Sequence, residues 1–159
     1  MTSNGAGTKK LGTFSWALWD WAEQPFPTIM QTFIFPVYLA GAVATAGDNA
    51  DTKLGWATTI AGILLALIAP VLGRRSDESG KRKFWLMVNT YVLVAIMVAS
   101  FFIEPKPEYF VMGLVLYGLG SVVQESAFIN YYAMLKSVTT EKNIGRVSGY
   151  AWALGYAGG

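Results

Sequence analysis

The chain has 159 residues, 53% of them hydrophobic and only 14% charged, with a formal net charge of +2. A water-soluble domain of this size carries nearer a quarter charged residues, so a soluble globular class is excluded. The chain contains no cysteine and no histidine, which excludes disulfide and thiolate-metal chemistry and removes the usual proton shuttle.

The apolar residues lie in long runs, and a spanning helix needs about 20 of them to cross the hydrocarbon core. The expected spans are 14–40, 55–72, 84–103 and 109–135, preceded by a tail over 1–13. The first is no signal peptide, because Asp20 and Glu23 interrupt it. A fifth run over 147–159 is too short to cross. Its small residues form two four-residue ladders, Gly145, Gly149, Ala153, Ala157 and Ala151, Gly155, Gly159, a spacing that lets helices approach closely in lipid. The expectation is therefore a fragment of a longer protein, with a small four-span protein carrying a re-entrant tail as the alternative.

Orientation follows from the basic residues. Ten of the twelve Lys and Arg fall in the N-terminal tail and in the second and fourth connections, leaving Lys53 and Lys106 in the other two. By the positive-inside rule the N-terminus is cytoplasmic.

Ionisable residues inside a span normally face a cavity or a partner. In the first span Asp20, Glu23, Gln24, Pro27 and Gln31 recur at helical spacing, and Pro25 and Pro27 predict a kinked or opened helix. In the fourth, Tyr117, Ser121, Gln124, Glu125, Phe128 and Tyr132 form a comparable stripe. At 1.5 Å per residue, Glu23 and Glu125 both lie about 14 Å from the cytoplasmic ends of their spans. No Lys or Arg lies within the four spans. The substrate or proton pathway is therefore assigned to Asp20, Glu23, Gln24, Gln31, Gln124 and Glu125. The alternative is that the acids are protonated and bond only to neighbouring helices. Trp16, Trp19 and Trp21 read as interfacial anchors, with Trp56 and Trp85 anchoring their own spans.

Between the second and third spans, Gly73, Asp77, Gly80, Lys81 and Arg82 give Gly-x-x-x-Asp-x-x-Gly-basic-basic. Gly73 permits close helix approach, Gly80 a tight turn, and Asp77 accepts from a helix N-terminus or an arginine. The segment reads as a cytoplasmic gate loop.

That pattern resembles the signature loop of the major facilitator superfamily, with Glu78 where a basic residue is usual. Trp16-Ala17-Leu18-Trp19-Asp20-Trp21-Ala22 with Phe26-Pro27-Thr28 is similar to the opening of the first helix in the vacuolar, autophagy-related amino-acid effluxer branch. Gly145-Arg146-Val147-Ser148-Gly149 with Trp152-Ala153-Leu154-Gly155-Tyr156 is similar to the start of its fifth. The resemblance implies an all-α membrane protein in which residues 14–159 form part of the N-terminal six-helix half: four transmembrane helices and the start of a fifth. It implies inverted three-helix repeats and alternating access around a midplane site, with the first and fourth helices lining the cavity.

The expected function is secondary active transport of small polar metabolites, with amino-acid efflux as the specific case; the alternative is a non-transporting receptor or assembly subunit. Expected partners are the lipid bilayer, a small polar solute with protons as a further cargo, and the missing C-terminal half. The host is a bacterial inner membrane or a vacuole-type membrane. No enzyme activity, cofactor, metal or nucleic acid is expected.

Overall fold

In the computed structural model, residues 3–159 are described, with side chains from Leu11 onward. Among the described residues there is no strand, and four helices are long and apolar enough to cross a membrane: Leu11–Val43, Ala50–Ser79, Arg82–Ser100 and Pro107–Val138. The chain is thus an all-α, multi-pass membrane protein. Its outer surface is apolar, as lipid demands, with Phe33, Leu67 and Val111 well exposed.

The first span is a composite of α1 (Ser3–Glu23), a π-helical stretch Phe26–Phe33, the single turn α2 (Phe35–Tyr38) and a second π-helical stretch Leu39–Val43. Pro25, Pro27 and Pro36 each lack the amide hydrogen that an α-helix would use. The backbone compensates by widening. The Ile34 amide donates to the Ile29 carbonyl at 3.2 Å and the Ala44 amide to that of Leu39 at 2.9 Å, both five residues back.

The second span is α3 (Ala50–Ser79), the third α4 (Arg82–Ser100) and the fourth α5 (Phe110–Val138); α6 (Ile144–Gly158) follows. The basic segment differs from the expected loop. Residues 73–79 complete the last turns of α3, because Arg, Glu and Ser sustain a helix beyond the apolar run. The turn itself is Gly80, whose φ of 62° lies in the left-handed region that glycine adopts without strain, followed by Lys81. Before α3, Asp48 accepts from Lys53 Nζ at 2.8 Å and from the Thr45 amide and hydroxyl at 2.7 Å each. The Lys53 bond, then those from Thr45, hold its carboxyl well below the usual carboxylate range.

The first span runs antiparallel to α5, and two glycines set how closely. A Cβ at Gly120 would meet Phe26 Cζ at 2.6 Å, and one at Gly113 would overlap Leu39. Phe26, Leu39, Met30, Phe35 and Val43 then close a core with Leu93 and Phe110. A second core, at the end of the bundle where Arg82 lies, gathers Trp16, Leu86, Ala127, Tyr131 and Ala151.

The helix α6 packs parallel to α1 through one of its two small-residue ladders. A Cβ at Gly155 would stand 2.7 Å from Asp20 Oδ2, and Gly159 abuts Thr28. Gly158, outside both ladders, rests on the Trp21 main chain. At Gly145 and Gly149, in the other ladder, a Cβ would meet nothing within 4 Å. Both face open space among the described residues.

Replacing Gly158 by alanine should force the Trp21 main chain aside and destabilise the α1–α6 pair by about 1–3 kcal/mol. The change Gly149→Ala should be neutral. Thermal unfolding of both variants in detergent micelles checks the difference.

Candidate functional site

The polar residues of the first span and α5 meet along most of the bundle. Thr13 donates through its hydroxyl to the Val138 carbonyl at 2.5 Å. Trp16 Nε1 donates to the Tyr131 carbonyl at 3.0 Å, Gln124 Nε2 to Glu23 Oε1 at 2.6 Å, and Gln31 Nε2 to Ser121 Oγ at 3.1 Å. As the first number rises the second falls, so these bonds form an antiparallel ladder that fixes the register of the two helices.

Its midpoint is the Glu23–Gln124 pair. Glu23 is 7% exposed and Gln124 2%, and no cationic side chain pairs with the carboxyl among the described residues. The second oxygen, Glu23 Oε2, and Gln124 Oε1 are buried without a hydrogen-bond partner among the described residues. A buried acceptor that is left unbonded costs free energy, so this site favours a proton or a bound donor. Asp20, also buried, and Gln24 converge over Gly155 from the α1 side. Asp20 and Glu125 are both near enough to act electrostatically on Glu23.

Glu125 has a different environment. It is exposed and lines a pocket between the first span, α3 and α5, together with Gln31, Thr58, Tyr117 and Ser121. Of the six expected pathway residues, Asp20, Glu23 and Gln124 are sealed and Gln24 is half-buried beside them, while Gln31 and Glu125 line the open pocket. Depth alone gave both acids the same standing, because it carries no information about which way a side chain faces.

Two tryptophans depart from the anchoring role expected of them. Trp16 is 5% exposed and stacks on Tyr131 with centroids 4.3 Å apart and planes within 1°. Trp19 donates from Nε1 to Thr90 Oγ1 at 3.0 Å and packs on Phe128 and Tyr131. The cluster closes the space between the acids and the basic end of the bundle. The signal was present in the sequence: Trp16 and Trp19 continue the Asp20 and Glu23 face at spacings of three and four. Trp21 and Trp56 do lie at the surface. A further buried contact, from Ser76 Oγ to Asn130 Oδ1, ties α3 to α5 and was not anticipated, since neither residue stands out among its polar neighbours.

At the basic corner, Arg82 holds three elements. Its Nε and Nη2 reach Asp77 Oδ1 at 2.9 and 2.7 Å, while Nη1 donates to the Ala133 carbonyl of α5 at 2.8 Å. Through Arg82 the corner closes on α5. Gly73 is not needed for close approach, because a Cβ there would meet Ile129 at an ordinary 3.8 Å. Lys81 is exposed, and Glu78 pairs with Arg74 at 3.3 Å on the surface.

These features define a polytopic helical bundle with carboxyl groups buried between its first and fourth spans. Compared with curated proteins, the chain is 33% identical over 149 residues to "Uncharacterized MFS-type transporter YxiO" of Bacillus subtilis (strain 168). The match covers 91% of this chain and 34% of that protein, so the chain spans about a third of the length of the curated relative it matches. No protein-family profile and no solved structure matches.

The change Arg82→Gln should loosen the α3–α4 turn by about 0.5–1.5 kcal/mol, the scale of a partly exposed hydrogen-bonded group. Faster amide exchange over residues 78–84 would report it. Lysine at this position should rescue only in part, since a single ammonium cannot span Asp77 and the Ala133 carbonyl as a guanidinium does.

Proposed function

We propose that this chain forms part of a secondary active transporter of the major facilitator superfamily, working by alternating access. Its solutes are small polar metabolites, with amino-acid efflux as the specific case. The observation that carries the reading is the Glu23–Gln124 pair, a buried carboxyl group bonded between two antiparallel spans with no cationic partner among the described residues. Such a group is costly in a merely structural helix and useful where a proton or solute must be held at mid-depth. The similarity to an MFS-type transporter over 91% of the chain supports the same class.

In this reading the first and fourth spans occupy corresponding positions of two inverted repeats and line one wall of the path. The opposing wall comes from a second half that this sequence does not contain. The basic corner at Arg74, Arg75 and Arg82 faces the cytoplasm, placing the aromatic cluster of Trp16, Trp19, Phe128 and Tyr131 as the barrier on that side. Gln124 positions the Glu23 carboxyl, while Asp20 and Gln24 extend the polar wall toward α6.

The test is counterflow of labelled amino acids in proteoliposomes containing the complete polypeptide that carries this sequence. Active counterflow is expected, with Glu23→Gln lowering it at least about tenfold, the loss of roughly 1.4 kcal/mol of differential interaction. Unchanged rate and pH dependence in both Glu23→Gln and Glu125→Gln would remove these acids from the path.

A further inference from the structure

The pocket containing Glu125 has a volume of about 440 Å³, within the range of small-molecule sites. Its polar wall is made of Gln31, Thr32, Thr58, Tyr117, Ser121 and Glu125, and its apolar wall includes Ala61 and Leu65. The hydrogen-bonding state of this wall decides what it can bind. The hydroxyl of Thr58 donates to the Leu54 carbonyl at 3.0 Å, that of Ser121 to the Tyr117 carbonyl at 2.9 Å, and that of Tyr117 to the Gln31 carbonyl at 3.5 Å. The Gln31 amide group donates to Ser121. The hydroxyl hydrogens of Thr58 and Ser121 are therefore committed to main-chain carbonyls, and what those two hydroxyls still offer is lone pairs. Beside them stands one carboxyl, with no lysine or arginine in the lining. The wall is an acceptor surface of negative character next to a patch of hydrocarbon.

We propose that this pocket is a subsite for the protonated amine of a small organic solute, with Glu125 as its counter-ion. This deepens the transporter reading and rests on it for the solute's passage, though binding itself needs no turnover. An ammonium group brings three N–H donors and one positive charge, matching an acceptor wall where an anion or a neutral donor-poor solute would leave the carboxyl unpaired. The apolar wall of Ala61 and Leu65 takes the carbon chain and gives an organic amine an advantage over a bare metal ion, which would need several oxygens at coordination distance on all sides. The two mid-depth acids thereby take different tasks. Glu125 meets the solute, whereas Glu23, already held by Gln124 and sealed from the pocket's opening, does not.

These 159 residues contain no cysteine, so an introduced thiol makes a direct test available once any cysteine elsewhere in the polypeptide is replaced by serine. A cysteine at Gly62, which lines the pocket and has open space around its Cβ position, serves as reporter in the complete polypeptide that carries this sequence, reconstituted in lipid nanodiscs. Thr32→Cys on the opposite wall is the second reporter should the first variant fail to fold. Modification rates are measured with a cationic ethylammonium and an anionic ethylsulfonate methanethiosulfonate, alone and with butylamine, butanol or sodium chloride present at matched ionic strength. The cationic reagent should react at least about tenfold faster, as expected for a carboxylate-lined cleft. Butylamine should slow it, butanol should not, and Glu125→Gln should abolish both the preference and the protection. Equal rates for the two reagents, protection that survives Glu125→Gln, or protection by sodium in preference to butylamine would each overturn the proposal. Loss of butylamine protection alongside active counterflow would discard the subsite and keep the transporter; intact protection without counterflow would do the reverse.

Discussion

The hydrogen bond between Glu23 and Gln124 joins two buried side chains on helices that are far apart in sequence. In hydrocarbon a carboxyl group cannot be left to solvent, so its partner must come from the protein, a proton or a ligand. The Gln124 amide supplies one bond at 2.6 Å and leaves two acceptor oxygens open. Once that contact is fixed, the antiparallel register of the first span on α5 follows, and with it the bonds from Thr13 at one end to Gln31 at the other. The aromatic cluster, the glycine seats at Gly113 and Gly120 and the pocket at Glu125 all depend on that register.

Holding a polar contact at mid-depth requires a backbone that can adapt on either side of it. Prolines at 25, 27 and 36 remove the hydrogen bonds that would keep the first span a regular α-helix, and the chain answers with two π-helical stretches. The widened backbone carries Phe26 into the seat left by Gly120 and Leu39 into that left by Gly113. On the other side, α6 approaches α1 through Gly155 and Gly158, bringing Asp20 and Gln24 into the same polar region. Small residues here replace the hydrophobic drive that associates helices in water, since lipid tails are as apolar as leucine.

The spans could be read from apolar run length, because bilayer thickness imposes a length that few other constraints mimic. The distorted first span was also legible, since proline removes a donor wherever it sits. Side-chain direction was harder. Glu23 and Glu125 have the same depth, yet one is sealed and the other open, a difference set by α3 and α6 packing on opposite sides of the pair. Trp16 and Trp19 carry the composition of an interfacial anchor and the spacing of the acid face, and packing against Tyr131 and Phe128 decided between them. The basic segment was read as a loop because charge marks the end of a membrane span, but charge does not end a helix; Gly80 does. Of the two small-residue ladders on α6, only the structure distinguishes the one packed on α1 from the one facing away.

The bond between Glu23 and Gln124 stands at the centre of the fold. A double-mutant cycle with Glu23→Leu, Gln124→Leu and both together, read as unfolding free energy in bicelles, measures it directly. Coupling of about 1 kcal/mol or more is predicted, toward the upper end for hydrogen bonds between membrane helices, because each single variant strands a buried polar group that the double variant removes. Effects that add to within about 0.3 kcal/mol would show that the two side chains do not depend on each other, and would contradict the account.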